Sequence, residues 1–95
     1  QAMEFVAQVE GTALAGEPTA VVVKNRFYVG DALEALTPAG SKPFTVAAMQ
    51  LADTGEAVDT VSVAGTRLVM SFPFAVGAGE RNGGIIQQRQ GQLVQ

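Results

Sequence analysis

The run from Lys24 to Pro38, KNRFYVGDALEALTP, constrains the fold more than any other part of the chain. It reads as a turn at Asn25-Arg26, a corner at Gly30-Asp31, a strand through Leu33 and Ala35, and a second turn at Thr37-Pro38. Asn tolerates positive φ and Pro cannot continue a central strand, so residue type sets both turns. Gly30 gives the corner backbone freedom, and Asp31 can hydrogen-bond nearby amides. Period-two alternation then puts Leu33 and Ala35 inward, with Ala32 and Glu34 outward. Reversals this close together suit the short strands of a small barrel.

The rest of the chain repeats that rhythm. Met3, Phe5, Ala7 and Val9 alternate with Glu4, Val6, Gln8 and Glu10, which predicts a half-buried strand. Gly11, Gly16 and Pro18 mark a loop, and Ala20 to Lys24 is a β-branched run that predicts a central strand. Thr37 to Pro43 is a turn cluster, and Phe44 to Val46 resumes the β-pattern. Residues 47–52 fit either a short helix or a strand with a helical turn nearby, and the strand is the reading taken. Asp53 to Glu56 reads as a turn, Ala57 to Val63 as a strand, and Ala64 to Thr66 as a turn. Arg67 to Phe72 reads as a strand ended by Pro73, Gly77 to Gly84 as a flexible loop, Ile85 to Gln87 as a last strand, and Gln88 to Gln95 as a ragged tail. The sum is an all-β domain, a small closed β-barrel of six to eight short strands with at most one short helix. Residues 1–95 form one domain, and the opening Gln1-Ala2-Met3-Glu4 carries neither a basic nor an apolar leader region, as expected of a piece excised from a longer protein.

Composition excludes whole classes of chemistry. The chain has no Cys, so a disulfide, a thiolate nucleophile and a Cys-ligated metal are ruled out. It has no His, which removes the commonest general base and the commonest metal ligand together. Ser41, Ser62 and Ser71 therefore lack the usual activating base. A net charge of −3 disfavours strong autonomous binding to a phosphate backbone. No apolar run approaches the length of a membrane span, so no membrane partner is expected.

Against that background one contact surface stands out. Lys24, Asn25, Arg26 and Phe27 bring two cations, an amide and an aromatic ring together, as a phosphate-and-stacking patch does. The alternative is a bulge whose charges are solvated while Phe27 fills the barrel. Asp31 and Glu34 point to opposite faces of a strand and do not pair. Asp53, Glu56 and Asp59 lack the ligand density of a calcium loop. Gly77-Ala78-Gly79 and Gly83-Gly84 lack the Lys-Ser/Thr of a phosphate loop.

The order and spacing of Phe5-Val6-Ala7, Lys24-Asn25-Arg26-Phe27, Val29-Gly30-Asp31, Leu33-Glu34, Thr37-Pro38, Gly40, Phe44-Thr45, Met49, Gly55-Glu56 and Asp59 resemble the C-terminal domain of the collagenase-like peptidases, peptidase family U32. The resemblance covers roughly residues 3–87. It implies a compact barrel appended to an N-terminal catalytic domain in a cytoplasmic protein. That parent is a peptidase by family name, or an RNA-hydroxylation protein acting on tRNA or rRNA. Any iron–sulfur cluster would be held by cysteines of the N-terminal domain, so no cofactor is expected in this chain. The Val-Gly-Asp corner is also similar to the second domain of translation elongation factors. The expected role is accessory: docking of RNA or protein substrate, or packing on the catalytic domain. The alternative is a structural module that self-associates through rim residues such as Phe72 and Phe74.

Overall fold

The computed structural model describes residues 2–78 and 83–89. These residues form eleven strands and no helix. In chain order they are β1 (Met3–Val9), β2 (Thr12–Ala13), β3 (Thr19–Val23), β4 (Phe27–Tyr28), β5 (Ala32–Thr37), β6 (Gly40–Thr45), β7 (Gln50–Leu51), β8 (Thr60–Val61), β9 (Arg67–Met70), β10 (Val76–Gly77) and β11 (Ile85–Arg89). Seven of them make one antiparallel sheet in the order β6-β5-β11-β1-β3-β9-β7. β2 pairs with β10, and β4 with β8, as small ribbons.

The strands at the two ends of that order, β6 and β7, are consecutive in the chain and joined only by Val46–Met49. Such a link reaches at most about 18 Å. A flat sheet of this width would hold its edges about 29 Å apart. The sheet must therefore curl until its edges approach, and the right-handed twist of its strands supplies the curl. Side chains fill the gap: the Phe44 ring on β6 meets Phe72, just past β9, edge-on at 5.1 Å between centroids. Phe74 closes over both, 5.9 Å from Phe44. No hydrogen-bonded ladder joins β6 to β7 among the described residues, so the architecture established is all-β and strongly curled, and the ring of ladders expected of a closed barrel is not complete.

The core sits inside the curl. Val6, Val21, Val23, Phe27, Leu33, Leu68 and Ile86 have at most 1% of their surface exposed. Leu33 and Ala35 face inward from β5 as the alternation predicts. On β1 the alternation breaks. The register against β11 slips between Phe5 and Ala7, a β-bulge that turns both Val6 and Ala7 inward and leaves Phe5 exposed.

Several boundaries shift from the sequence reading. Ser41 to Pro43, expected in a turn, belong to β6, and the hairpin turn contracts to Pro38-Ala39 with Gly40 at a φ of 116°. Pro43 is tolerated because β6 is an edge strand, where a missing N–H costs no ladder bond. Ala57 to Val63 keeps only Thr60–Val61 as strand. Residues 47–49 are irregular and Gln50–Leu51 is strand, so the described chain has no helix there. Gly77, expected in a loop, joins Val76 in β10 and pairs with β2. Gln88 and Arg89, expected in the tail, extend β11. The remaining parts of that loop and tail, residues 79–82 and 90–95, lie outside the described residues. No helix of the described residues is long and apolar enough to cross a membrane.

Candidate functional site

The Lys24–Phe27 stretch forms as a corner, but its four side chains do not share a surface. Lys24, Asn25 and Arg26 are exposed, whereas Phe27 is wholly buried. Phe27 opens β4, which pairs with β8 through Val61, and its ring belongs to the core. It offers nothing to stack a base on, and that part of the predicted patch is corrected. Its neighbour Tyr28 does reach solvent, at 45% exposed.

The bulge in β1 builds the corner. The Val6 carbonyl accepts from both the Lys24 N–H (2.8 Å) and the Asn25 N–H (3.1 Å), which fixes where the chain leaves β3. Asn25 then donates through Nδ2 to Glu4 Oε2, and its Oδ1 accepts from the Arg26 N–H at 2.9 Å. Phe5, turned outward by the same bulge, lies under Lys24, whose Nζ stands 5.9 Å from the ring centroid. At the next turn the Asp31 carboxylate accepts from the Tyr28 N–H at 2.9 Å, and Gly30 takes a φ of 97° that a residue with a Cβ rarely adopts. Asp31 is thus the corner-stabilising residue that the sequence indicates.

These elements surround a shallow depression of about 440 Å³ at one mouth of the curled sheet, lined by Glu4, Asn25, Arg26, Tyr28, Asp31, Ser62 and Gln88. Its chemistry is mixed: two carboxylates, one guanidinium, two amides, a hydroxyl and a phenol. Of the four exposed large hydrophobic side chains, Phe5, Leu14, Tyr28 and Val63, one lines this depression and two stand next in sequence to residues that do. Tyr28 lines it, Phe5 follows Glu4, and Val63 follows Ser62 in the turn whose Gly65 N–H bonds the Val23 carbonyl at 2.8 Å. Alternation from the inward Phe27 would have pointed to Tyr28. No sequence signal marked Phe5, because a bulge reverses the face of everything before it.

The other candidates are structural. Glu34 accepts from Ser41 Oγ and from Arg89 Nη2, each at 2.6 Å. The Ser41 hydrogen bond first, and Arg89 second, hold its carboxyl below the ordinary value. Among the described residues no three of Asp, Glu, His and Cys converge as metal ligands, and Asp53, Glu56 and Asp59 stay dispersed and exposed. Phe72, expected as an apolar rim residue, is 2% exposed and belongs to the core, and Phe74 is half-buried against it.

Comparison with known proteins bears on the family. The model of the peptidase family U32 C-terminal domain matches residues 1–80. Among solved structures, the C-terminal domain of a Geobacillus thermoleovorans protein assigned to the U32 peptidases superposes with a TM-score of 0.61 at 17% identity. The match covers 90% of this chain and 99% of that one, and at this identity it speaks for the fold. No curated protein matches the chain.

Proposed function

The chain belongs to the family of peptidase U32 C-terminal domains, and from that membership we propose that it is a non-catalytic accessory domain whose mouth packs on the preceding domain of its own protein. The observation that carries this reading is the exposed Tyr28 ring set among the charges and amides of one depression, with the exposed Phe5 and Val63 one residue along from its lining residues Glu4 and Ser62. Apolar anchors within a rim of amides and charges are the usual make-up of an interface. A preceding domain joins a C-terminal domain through its first strand, and β1 begins at this mouth with Met3, Glu4 and Phe5. On this reading the reaction of the whole protein, peptide hydrolysis or RNA hydroxylation, belongs to the preceding domain. An iron–sulfur cluster would have to be held there as well, because this chain supplies no cysteine.

RNA docking has one favourable observation, the exposed Lys24 and Arg26. Glu4 and Asp31 beside them oppose a phosphate backbone, and Phe27 is lost as a stacking ring.

Two measurements test the proposal. In the protein encoded by the full reading frame, Tyr28→Ala with Val63→Ser is expected to speed protease cleavage at the junction before β1 while this domain stays folded, its melting point falling only by the few degrees that a surface change costs. Unchanged cleavage rejects packing through this mouth. In the second, tRNA is titrated against the isolated chain. Two cations engaging two phosphates would lose about ten-fold in affinity between 50 and 200 mM salt. Binding with that dependence, abolished by Lys24→Ala and Arg26→Ala, would move the function to RNA.

A further inference from the structure

Among the described residues every cation but one has a partner. Arg67 pairs with Glu10 at 3.2 Å and Arg89 with Glu34 at 2.6 Å. Lys24 lies over the Phe5 ring, and Lys42 Nζ stands 5.7 Å from the centre of the Phe74 ring. Arg26 differs. Its N–H bonds Asn25 Oδ1 at 2.9 Å, but among the described residues its guanidinium meets no carboxylate, carbonyl or ring. The corner nevertheless fixes its backbone. The Val6 carbonyl takes the amides of Lys24 and Asn25 before it, and the Asp31 carboxylate takes the Tyr28 N–H after it. Phe27 points inward between Arg26 and Tyr28, so both of these face solvent on the same side. The ladder that pairs Phe27 with Val61 and Tyr28 with Thr60 sets Ser62 opposite Arg26. Arg26, Tyr28 and Ser62 all line the depression.

We infer that Arg26 is the specificity-determining residue of this mouth, and that it receives an aspartate or glutamate carboxylate of the preceding domain. The inference rests on the packing proposed above and names the chemistry of the partner. The balance of donors and acceptors in the depression carries it. Both of its carboxylates are engaged within the chain, Glu4 with the Asn25 amide and Asp31 with the Tyr28 N–H. Its donors are not: beside the Arg26 guanidinium stand the Ser62 hydroxyl, the Tyr28 phenol and the Gln88 amide. An arriving carboxylate meets donors ready to bond, whereas an arriving ammonium meets acceptors already engaged. The guanidinium fork matches a carboxylate through two parallel hydrogen bonds, and Arg is enriched where interfaces bury. The Tyr28 ring forms the apolar wall beside that pair. A net charge of −3 gives the chain no general attraction for an acidic surface, so the contact is a single ion pair. A run of phosphates fits worse, because beyond the one guanidinium it would meet Glu4 and Asp31.

Carbodiimide coupling in the protein encoded by the full reading frame decides it. The reagent joins a carboxylate to a touching amine as an amide, itself taking up the water released, and mass spectrometry locates the link. Arg26→Lys keeps the charge and supplies the amine. It is expected to give a cross-link from position 26 to an Asp or Glu of the preceding domain that the parent protein lacks. Arg26→Glu is expected to speed protease cleavage at the junction before β1 by about five-fold at low salt. No cross-link at position 26, coupling only to Glu4 or Asp31, or unchanged cleavage in Arg26→Glu overturns the ion pair. The Tyr28→Ala, Val63→Ser variant separates this failure from failure of the packing itself. If junction cleavage accelerates in that variant while position 26 gives no cross-link, the domains pack through the mouth without a carboxylate on Arg26. If neither responds, the packing is wrong as well. Binding of tRNA that Arg26→Glu abolishes, with no cross-link, would give the guanidinium to a phosphate instead.

Discussion

Phe27 and Tyr28 are adjacent in sequence and opposite in role, and replacing each by Ala tests the structure more sharply than any other pair of variants. Phe27 has no exposed surface and lies among the core side chains, while Tyr28 is 45% exposed at the mouth. Removing a fully buried Phe side chain forfeits its transfer free energy and leaves a cavity, together about 3–5 kcal/mol. For a domain of this size each kcal/mol lowers the melting temperature by about 4–8 °C. Phe27→Ala is thus expected to lower it by at least about 12 °C, a large share of the roughly 5–15 kcal/mol that holds a small domain together. Tyr28→Ala removes a side chain that is nearly half solvated and is expected to cost about 1 kcal/mol or less. Urea denaturation followed by circular dichroism measures both, with the slope checked for constancy so that the midpoint reports stability. The reasoning collapses if Phe27→Ala unfolds within about 1 kcal/mol of the parent, or if Tyr28→Ala proves the more damaging change. Either result would put the aromatic of the contact surface back at Phe27.

Other consequences follow from single contacts. Glu34 has its carboxyl pKa lowered by Ser41 and then Arg89, so the stability it contributes is present above the ordinary carboxylate value of 4.5 and is lost as pH falls through the depressed folded value. Melting temperature measured from pH 6 to pH 3 should therefore fall less steeply in Glu34→Gln than in the parent, and parallel curves would remove Glu34 from the account. Gly84 has a φ of 82°, and a Cβ there would stand 3.2 Å from both the Cβ and the carbonyl oxygen of Val9. Gly84→Ala is expected to lose about 2 kcal/mol or more, against about 1 kcal/mol for Gly11→Ala, where only the backbone angle resists. Equal losses in urea titrations would mean that the contact with Val9 relaxes freely. The Glu10–Arg67 pair, at 3.2 Å on the surface, should contribute no more than about 0.5 kcal/mol in a double-mutant cycle, and a larger coupling would contradict its exposure.

What the sequence made legible is local. The Val21-Val22-Val23 run forms the last three residues of β3, between β1 and β9, because β-branched side chains pack well on a pleated surface. Gly30 and Asp31 form their corner because positive φ and a short carboxylate are properties of the residues themselves. The two-residue strands β2, β8 and β10 were hidden or blurred, since so short a piece has no period to read and exists only where a distant partner offers hydrogen bonds. Pro43 reads as a turn residue because Pro argues against a strand, and the edge position of β6 makes the exception intelligible.

The candidate site obeyed a harsher version of the same rule. Choosing between Phe27 and Tyr28 needed one bit of information, which of two adjacent rings faces inward, and β4 is too short for alternation to supply it. Phe5 shows the limit more clearly. Strict alternation turns it inward with Ala7 and Val9, and one extra residue in β1 against β11 turns it out beneath Lys24. That residue leaves no mark in the hydrophobic pattern, because Val6 and Ala7 are both apolar and either reading buries an acceptable side chain. Yet the same slip leaves Val6 to take the two amides of Lys24 and Asn25, and ends the β3 ladder before Met3–Phe5. An irregularity that is almost free in sequence thus creates both the exposed ring and the corner at Lys24-Asn25. A substitution that removed the bulge should bury Phe5 and release the two amides from the Val6 carbonyl together, and one change without the other would show that the two have separate causes.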